Sequence, residues 1–247
     1  MSAIASTSPE ELSGSRFLTA IRYLTLVPTP RATSAFPYIP SSAAAVFPLI
    51  GAGIGAVGAA LYAELSAFVP VWMNALLIAT LWTLLTGTLR ESGRTLRGSA
   101  RTTLSLIAIL FLRWQGLQAL SSDLGAPMFY AILATQTVPR AGLVAIAWTA
   151  RPRTGMGLIA SGGTGMALSA HLGSGSALIA IALGLIAAFL AGGIVLVSIA
   201  AIAGYFTIRL LCTWSYAWRG GADGDVYGFA ELILEAVMWF LVIGGLF

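Results

Sequence analysis

The residues best suited to chemistry lie near the end of the chain, in RGGADGDVYGFAELILE (219–235). Asp223 and Asp225 flank Gly224, so a turn there can bring two carboxylates toward one point. Gly220, Gly221, Gly224 and Gly228 permit tight turns and close approach of backbone to a ligand. Glu231 and Glu235 are four apart and share one face of the final helix. Helix dipoles favour an acid in the first turn, where the pattern puts Glu231. Such an oxygen-rich group suits Mg²⁺, which is held by one or two carboxylates together with substrate phosphates. A solvated glycine turn followed by a capped helix accounts for the same spacing equally well.

Two cations interrupt apolar stretches, Arg113 and Arg140. A charge inside a membrane is costly and needs a partner, for which Glu231 and Glu235 are the candidates. Each Arg could fix helix register in a buried ion pair or clamp an anionic ligand. Register is favoured for Arg113, and the site for Arg140, which follows Pro139. Arg90, Arg94, Arg97 and Arg101 form a third group, suited to lipid headgroups or to a phosphate. The single Cys212 excludes an internal disulfide, and with the single His171 it cannot build a metal cluster.

The elements that would position these residues are written in the composition. Hydrophobic residues make up 58% of the 247 and charged residues 9%, with a mean hydropathy of +0.90. So few charges cannot cover a water-soluble surface, so lipid must. All 13 basic residues are Arg, and no soluble basic domain carries them, which argues against a nucleic-acid partner. The expectation is an all-α, polytopic transmembrane bundle of about seven spans in a single domain, 1–247. Residues 1–42 form a polar N-terminus with an interfacial amphipathic segment at 15–30, and 43–247 form the bundle. No cleavable signal peptide is expected from Met1–Gly14.

Spans of about 20 apolar residues are predicted over 43–62, 68–89, 104–120, 128–150 and 229–247. The stretch 176–214 is twice too long for one crossing, and Gly192–Gly193 is its natural hairpin point. Residues 156–175 are rich in Gly and Ser and are expected not to cross. That choice gathers the Arg-rich segments at one face and leaves Glu64 and Asp123 opposite, as the positive-inside rule requires. It makes the N-terminus cytoplasmic and the C-terminus external, in a cell (inner) membrane.

Four segments resemble the cobalamin synthase family, adenosylcobinamide-GDP ribazoletransferase. YLTLVPTP (23–30) is similar to its F-x-T-R-x-P-x-P, and AAVFPLIGAGIG (44–55) to its F-P-L-[VI]-G helix. PRAGLVAIAWTARPRTGMG (139–157) is similar to its S-R segment and basic loop. WRGGADGDVYGFAELILE (218–235) is similar to its G-G-x-x-G-D-x-x-G-A-x-x-E-x-x-E end. The family's T-G-G-x-H-x-D-G-x-A-D-x-x-D-G survives only as Thr86–Gly87 and Gly93. Arg90 stands for the His, and Ser92, Leu96 and Ser99 stand for the three Asp. The later D-S-R-x-G segment is absent, and Leu26 follows Thr25 where the family has Arg.

The resemblance implies a membrane transferase that joins α-ribazole (or its phosphate) to adenosylcobinamide-GDP and releases GMP, with Mg²⁺ as cofactor. It implies Asp223 and Asp225 as metal ligands and catalytic residues, with Glu231 and Glu235 as supporting catalytic carboxylates. Arg140, Arg153, Arg90, Thr86, Gly221 and Gly224 would bind substrate. Membrane lipid, the nucleotide-activated corrinoid and α-ribazole are the partners, and a homo-oligomer or a cobalamin-assembly partner is compatible with them. The missing acidic motif leaves an alternative open: an inactive paralogue that binds corrinoid or lipid, or supports an active enzyme. A transporter is a third option, though no inverted repeat is visible.

Overall fold

The computed structural model describes residues 17–18, 20–21, 24–25, 41–86, 100–122, 125–150, 172–219 and 224–245. Among these residues every regular element is helical. In chain order they are α1 (Ser41–Ala44), α2 (Phe47–Leu65), α3 (Val71–Leu85), α4 (Ala100–Ala119), α5 (Ala126–Thr149), α6 (Ser174–Arg219) and α7 (Gly224–Ile243), with a 3₁₀ turn at Leu120–Ser122. The long apolar helices and the outward apolar surface make this a membrane helical bundle. Phe68 is 84% exposed and Ile194 and Leu210 are each 69% exposed, side chains that lipid can cover and water would not.

Four described helices are long and apolar enough to cross a membrane: Phe47–Leu65, Ala126–Thr149, Ser174–Ala217 and Val226–Ile243. Val71–Leu85 and Leu106–Ala119 are shorter and also apolar. An unbroken α6 of 46 residues would run about 69 Å, over twice the roughly 30 Å of hydrocarbon. It is not straight. Gly192 has φ −145° and ψ 24°, and Gly193 has φ 62° and ψ −156°, a combination open almost solely to glycine. Ala188 and Ala200, on either side of this break, join one buried cluster with Ala134 of α5. Gly184 lies against Ala141, and Cys212 against Thr149. The first arm therefore runs antiparallel to α5 and the second parallel to it, so the chain reverses at the expected hairpin.

α5 is the central helix. Its buried side runs from Met128 to Ala147, and α2, both arms of α6 and α7 pack on it. Small residues set these distances. A Cβ added to Gly51 would sit 2.7 Å from Arg140 Cδ, and one added to Gly55 would sit 3.0 Å from Leu133 Cα. Gly58 faces the Trp82 ring, Gly116 the Trp239 ring and Gly142 the Leu234 side chain. In lipid, where no hydrophobic drive separates helix from solvent, such close packing is what associates helices.

Three sequence expectations need adjusting. The final helix begins at Gly224, five residues before the expected start, so Asp225 and Gly228 lie inside α7 and not in a turn. Glu231 is consequently in its second turn, not its first. The helix dipole favours acidic residue types in a first turn, so Asp at position 225 is compatible with this earlier start. The third apolar helix likewise starts at Ala100, so Arg101 is helical.

Candidate functional site

Seven side chains from four helices form a polar network inside the bundle. Arg113 of α4 donates from Nε to Glu235 Oε1 at 2.7 Å and from Nη2 to Oε2 at 2.8 Å. Its Nη1 donates to Thr83 Oγ1 of α3 at 2.7 Å. Glu235 Oε1 also accepts from Gln136 Nε2 at 3.3 Å and from Trp239 Nε1 at 3.2 Å. Gln136 passes the network on. Its side-chain Oε1 accepts from Arg140 Nη1 at 3.3 Å, and its main-chain oxygen accepts from the same Nη1. Arg140 Nε lies 3.9 Å from Glu231 Oε1.

Local sequence explains the arrangement. Glu231 and Glu235 on α7, and Gln136 and Arg140 on α5, are each one turn apart, so two antiparallel stripes face each other. Pro139 inside α5 carries no N–H and loosens the ladder at that turn. Gly51 leaves room for the Arg140 stem beside α2. Two guanidinium groups meet two carboxylates, so the network is neutral overall, the condition for charge at membrane depth. The expected pairing of both intramembrane Arg with Glu231 and Glu235 is present.

The network is graded in exposure. Arg113, Arg140 and Glu235 are 0%, 1% and 2% exposed, whereas the Glu231 side chain is 19% exposed. Glu231 is also the carboxylate nearer the start of α7, so the network opens toward that end of the bundle. The contacts along the helices assign every other terminus. Gly51 faces Arg140, Leu234 faces Gly142, and Arg113 bridges Thr83 and Glu235. The end that carries Gly224 therefore also carries Phe47, Leu85, Ala100, Thr149, Ser174 and Arg219. The segments 87–99, 151–171 and 220–223 lie outside the described residues, and the expectation that 156–175 does not cross falls on them. Glu64 lies at the far end.

Of the expected site residues, Arg140, Glu231 and Glu235 meet in the network. Gly224 and Asp225 open α7, and Asp225 precedes Glu231 by six residues, roughly 9 Å along the axis. Thr86 follows the last turn of α3, where its Oγ1 donates to Trp82 O at 2.7 Å, satisfying a helix-end carbonyl. Asp223, Gly221, Arg90 and Arg153 lie outside the described residues. Gln136, Thr83 and Trp239 are network members that sequence inspection passed over. Gln136 carried a signal, an amide in an apolar helix one turn before Arg140. Thr83 carried none, because its spacing matches its apolar neighbours.

No group of three metal-ligating side chains occurs among the described residues. Glu235 accepts from four donors of the protein itself, so the Mg²⁺ expectation does not draw on it. That expectation rests on Asp223 and Asp225.

The Arg140–Glu231 mouth is suited to an anion, because a guanidinium can meet phosphate oxygens with paired donors. A family model described as cobalamin-5-phosphate synthase matches residues 16–94 and 100–243, most of the chain. No curated protein and no solved structure matches it.

Proposed function

The chain belongs to the cobalamin-5-phosphate synthase family, and from that premise we propose that it joins α-ribazole or its phosphate to adenosylcobinamide-GDP and releases GMP. Family membership supports a late step of cobalamin synthesis at a membrane. The specific transfer is our reading, and the observation that carries it is a buried Arg–Glu network opening toward the end where segments 87–99, 151–171 and 220–223 attach. In this reaction a ribazole hydroxyl oxygen bonds to phosphorus, the bond from phosphorus to the GMP oxygen breaks, and the hydroxyl proton passes to a base. The protein's part in such a transfer is positioning and charge stabilisation.

In this proposal Arg140 holds a phosphate oxygen, aided by Arg153 and Arg90, while Gly221 and Gly224 let backbone approach the substrate. Asp223 and Asp225 would hold Mg²⁺ with substrate phosphates completing its shell, since Mg²⁺ sheds water reluctantly for two carboxylates alone. Bound there, the ion would neutralise phosphoryl charge. The Arg-rich segment around Arg90–Arg101 offsets part of the same charge where the family has Asp.

The substituted acidic motif, Ser92, Leu96 and Ser99, favours a second reading, an inactive relative that binds corrinoid or lipid. One assay separates the two. Purified protein in lipid, given adenosylcobinamide-GDP, α-ribazole and Mg²⁺, should release GMP and form the joined corrinoid. Turnover at background level with all three saturating removes the enzyme reading and leaves the second.

A further inference from the structure

The two carboxylates of the network differ in exposure, Glu235 being 2% exposed and the Glu231 side chain 19%. Four donors converge on Glu235: Arg113 Nε and Nη2, Gln136 Nε2 and Trp239 Nε1. A carboxylate offers roughly four lone-pair sites, and this one is 2% exposed. Arg113 is equally closed, with Nε, Nη1 and Nη2 all donating at 2.7–2.8 Å. Both groups are thus held by each other and by protein neighbours.

Arg140 is different. It is 1% exposed, yet its Nε has no hydrogen-bond acceptor among the described residues. The nearest carboxylate oxygen, Glu231 Oε1, stands 3.9 Å away, beyond hydrogen-bond reach. An unsatisfied buried charged donor is costly. Its orientation is held from the other side, because Gln136 takes Nη1 through two oxygens while its own amide nitrogen is tied to Glu235.

We propose that Arg140 completes its open Nε–H on an oxygen of a diphosphate-bearing ligand, that Glu231 competes with that oxygen, and that Gln136 is the positioning residue for the guanidinium. The inference deepens the transferase reading and rests on it for the identity of the ligand. Glu235 and Arg113 then serve as the fixed anchor from which Gln136 is oriented, and Glu235 makes no contact with substrate. Ligand oxygen at Nε releases Glu231 from Arg140, toward the end of the bundle where Asp225 begins α7.

The test uses the full chain in detergent, with inorganic pyrophosphate titrated calorimetrically. Arg140→Lys keeps the charge and loses the Nε–H, so pyrophosphate should bind at least tenfold more weakly. Glu231→Gln removes the competitor, so binding should tighten at least threefold. A residue that only maintained the fold would not strengthen anion binding when replaced. In the transfer reaction Gln136→Leu should raise KM for adenosylcobinamide-GDP about tenfold with kcat within threefold. Unchanged binding in Arg140→Lys overturns the proposal, as does unchanged or weaker binding in Glu231→Gln. A kcat loss without a KM change in Gln136→Leu overturns the positioning role. If pyrophosphate binding responds as described but wild type shows no transfer, the transferase reading alone falls.

Discussion

Glu235 and Arg113 form a pair whose value lies in being complete. Removing one partner strands the other as an uncompensated buried charge, which costs about 3–5 kcal/mol. Arg113→Met should therefore destabilise the protein by about that amount in equilibrium unfolding from mixed micelles. The double replacement Arg113→Met/Glu235→Met should recover much of the loss, because no charge is then left alone. Additive losses in the double variant would show that the pair is not the unit. Asp225 behaves differently. Placed in the first turn of α7, it gains at most about 1 kcal/mol from the helix dipole, so Asp225→Asn should insert and fold normally. In the transferase reading the same change abolishes GMP release, and full activity in that variant would refute its role with Mg²⁺.

Element packing depends on glycine in two ways, by close approach and by backbone conformation. At Gly193 the conformation is decisive, since φ 62° with ψ −156° makes the reversal in α6. Gly193→Ala should cost about 1–3 kcal/mol, read as a lower unfolding midpoint and reduced yield of monodisperse protein. Gly204 is the control. It sits inside a helical arm, and an added Cβ there meets nothing within 4 Å. Gly204→Ala should be neutral or stabilise by about 0.5–1 kcal/mol. Equal losses at the two positions would show that Gly193 is not a conformational hinge.

The whole bundle has two unlike ends. One gathers the termini that carry the Arg-rich segments, and the other carries the Glu64 end of α2, the turn at Gly192–Gly193 and the end of α7. By the positive-inside rule we propose that the first end faces the cytoplasm. A reporter fused after Phe247 should then be active outside the cytoplasm, and one inserted near Arg97 should be active within it. The reverse pattern would invert the molecule and put the Arg140–Glu231 mouth on the side away from cytoplasmic nucleotides.

Hydropathy alone located the helices, because each needs a long run of apolar residues that polar segments cannot imitate. It also marked Gly192–Gly193 as a reversal, since a mostly apolar stretch of 39 residues exceeds one bilayer crossing by twofold. The sequence likewise announced that Arg113 and Arg140 must find Glu231 or Glu235, because isolated charge at that depth is too costly. Which Arg meets which Glu was not written there. That depends on the rotation and register of α4, α5 and α7, set by contacts such as Gly116 against Trp239 and Gly142 against Leu234. The same geometry drew Gln136 and Thr83 into the network and gave Glu235 four donors while leaving the Glu231 side chain 19% exposed. Hydrogen-bond saturation is a property of three-dimensional neighbours, so two glutamates one turn apart, alike in sequence, acquire different chemistry only when the helices pack.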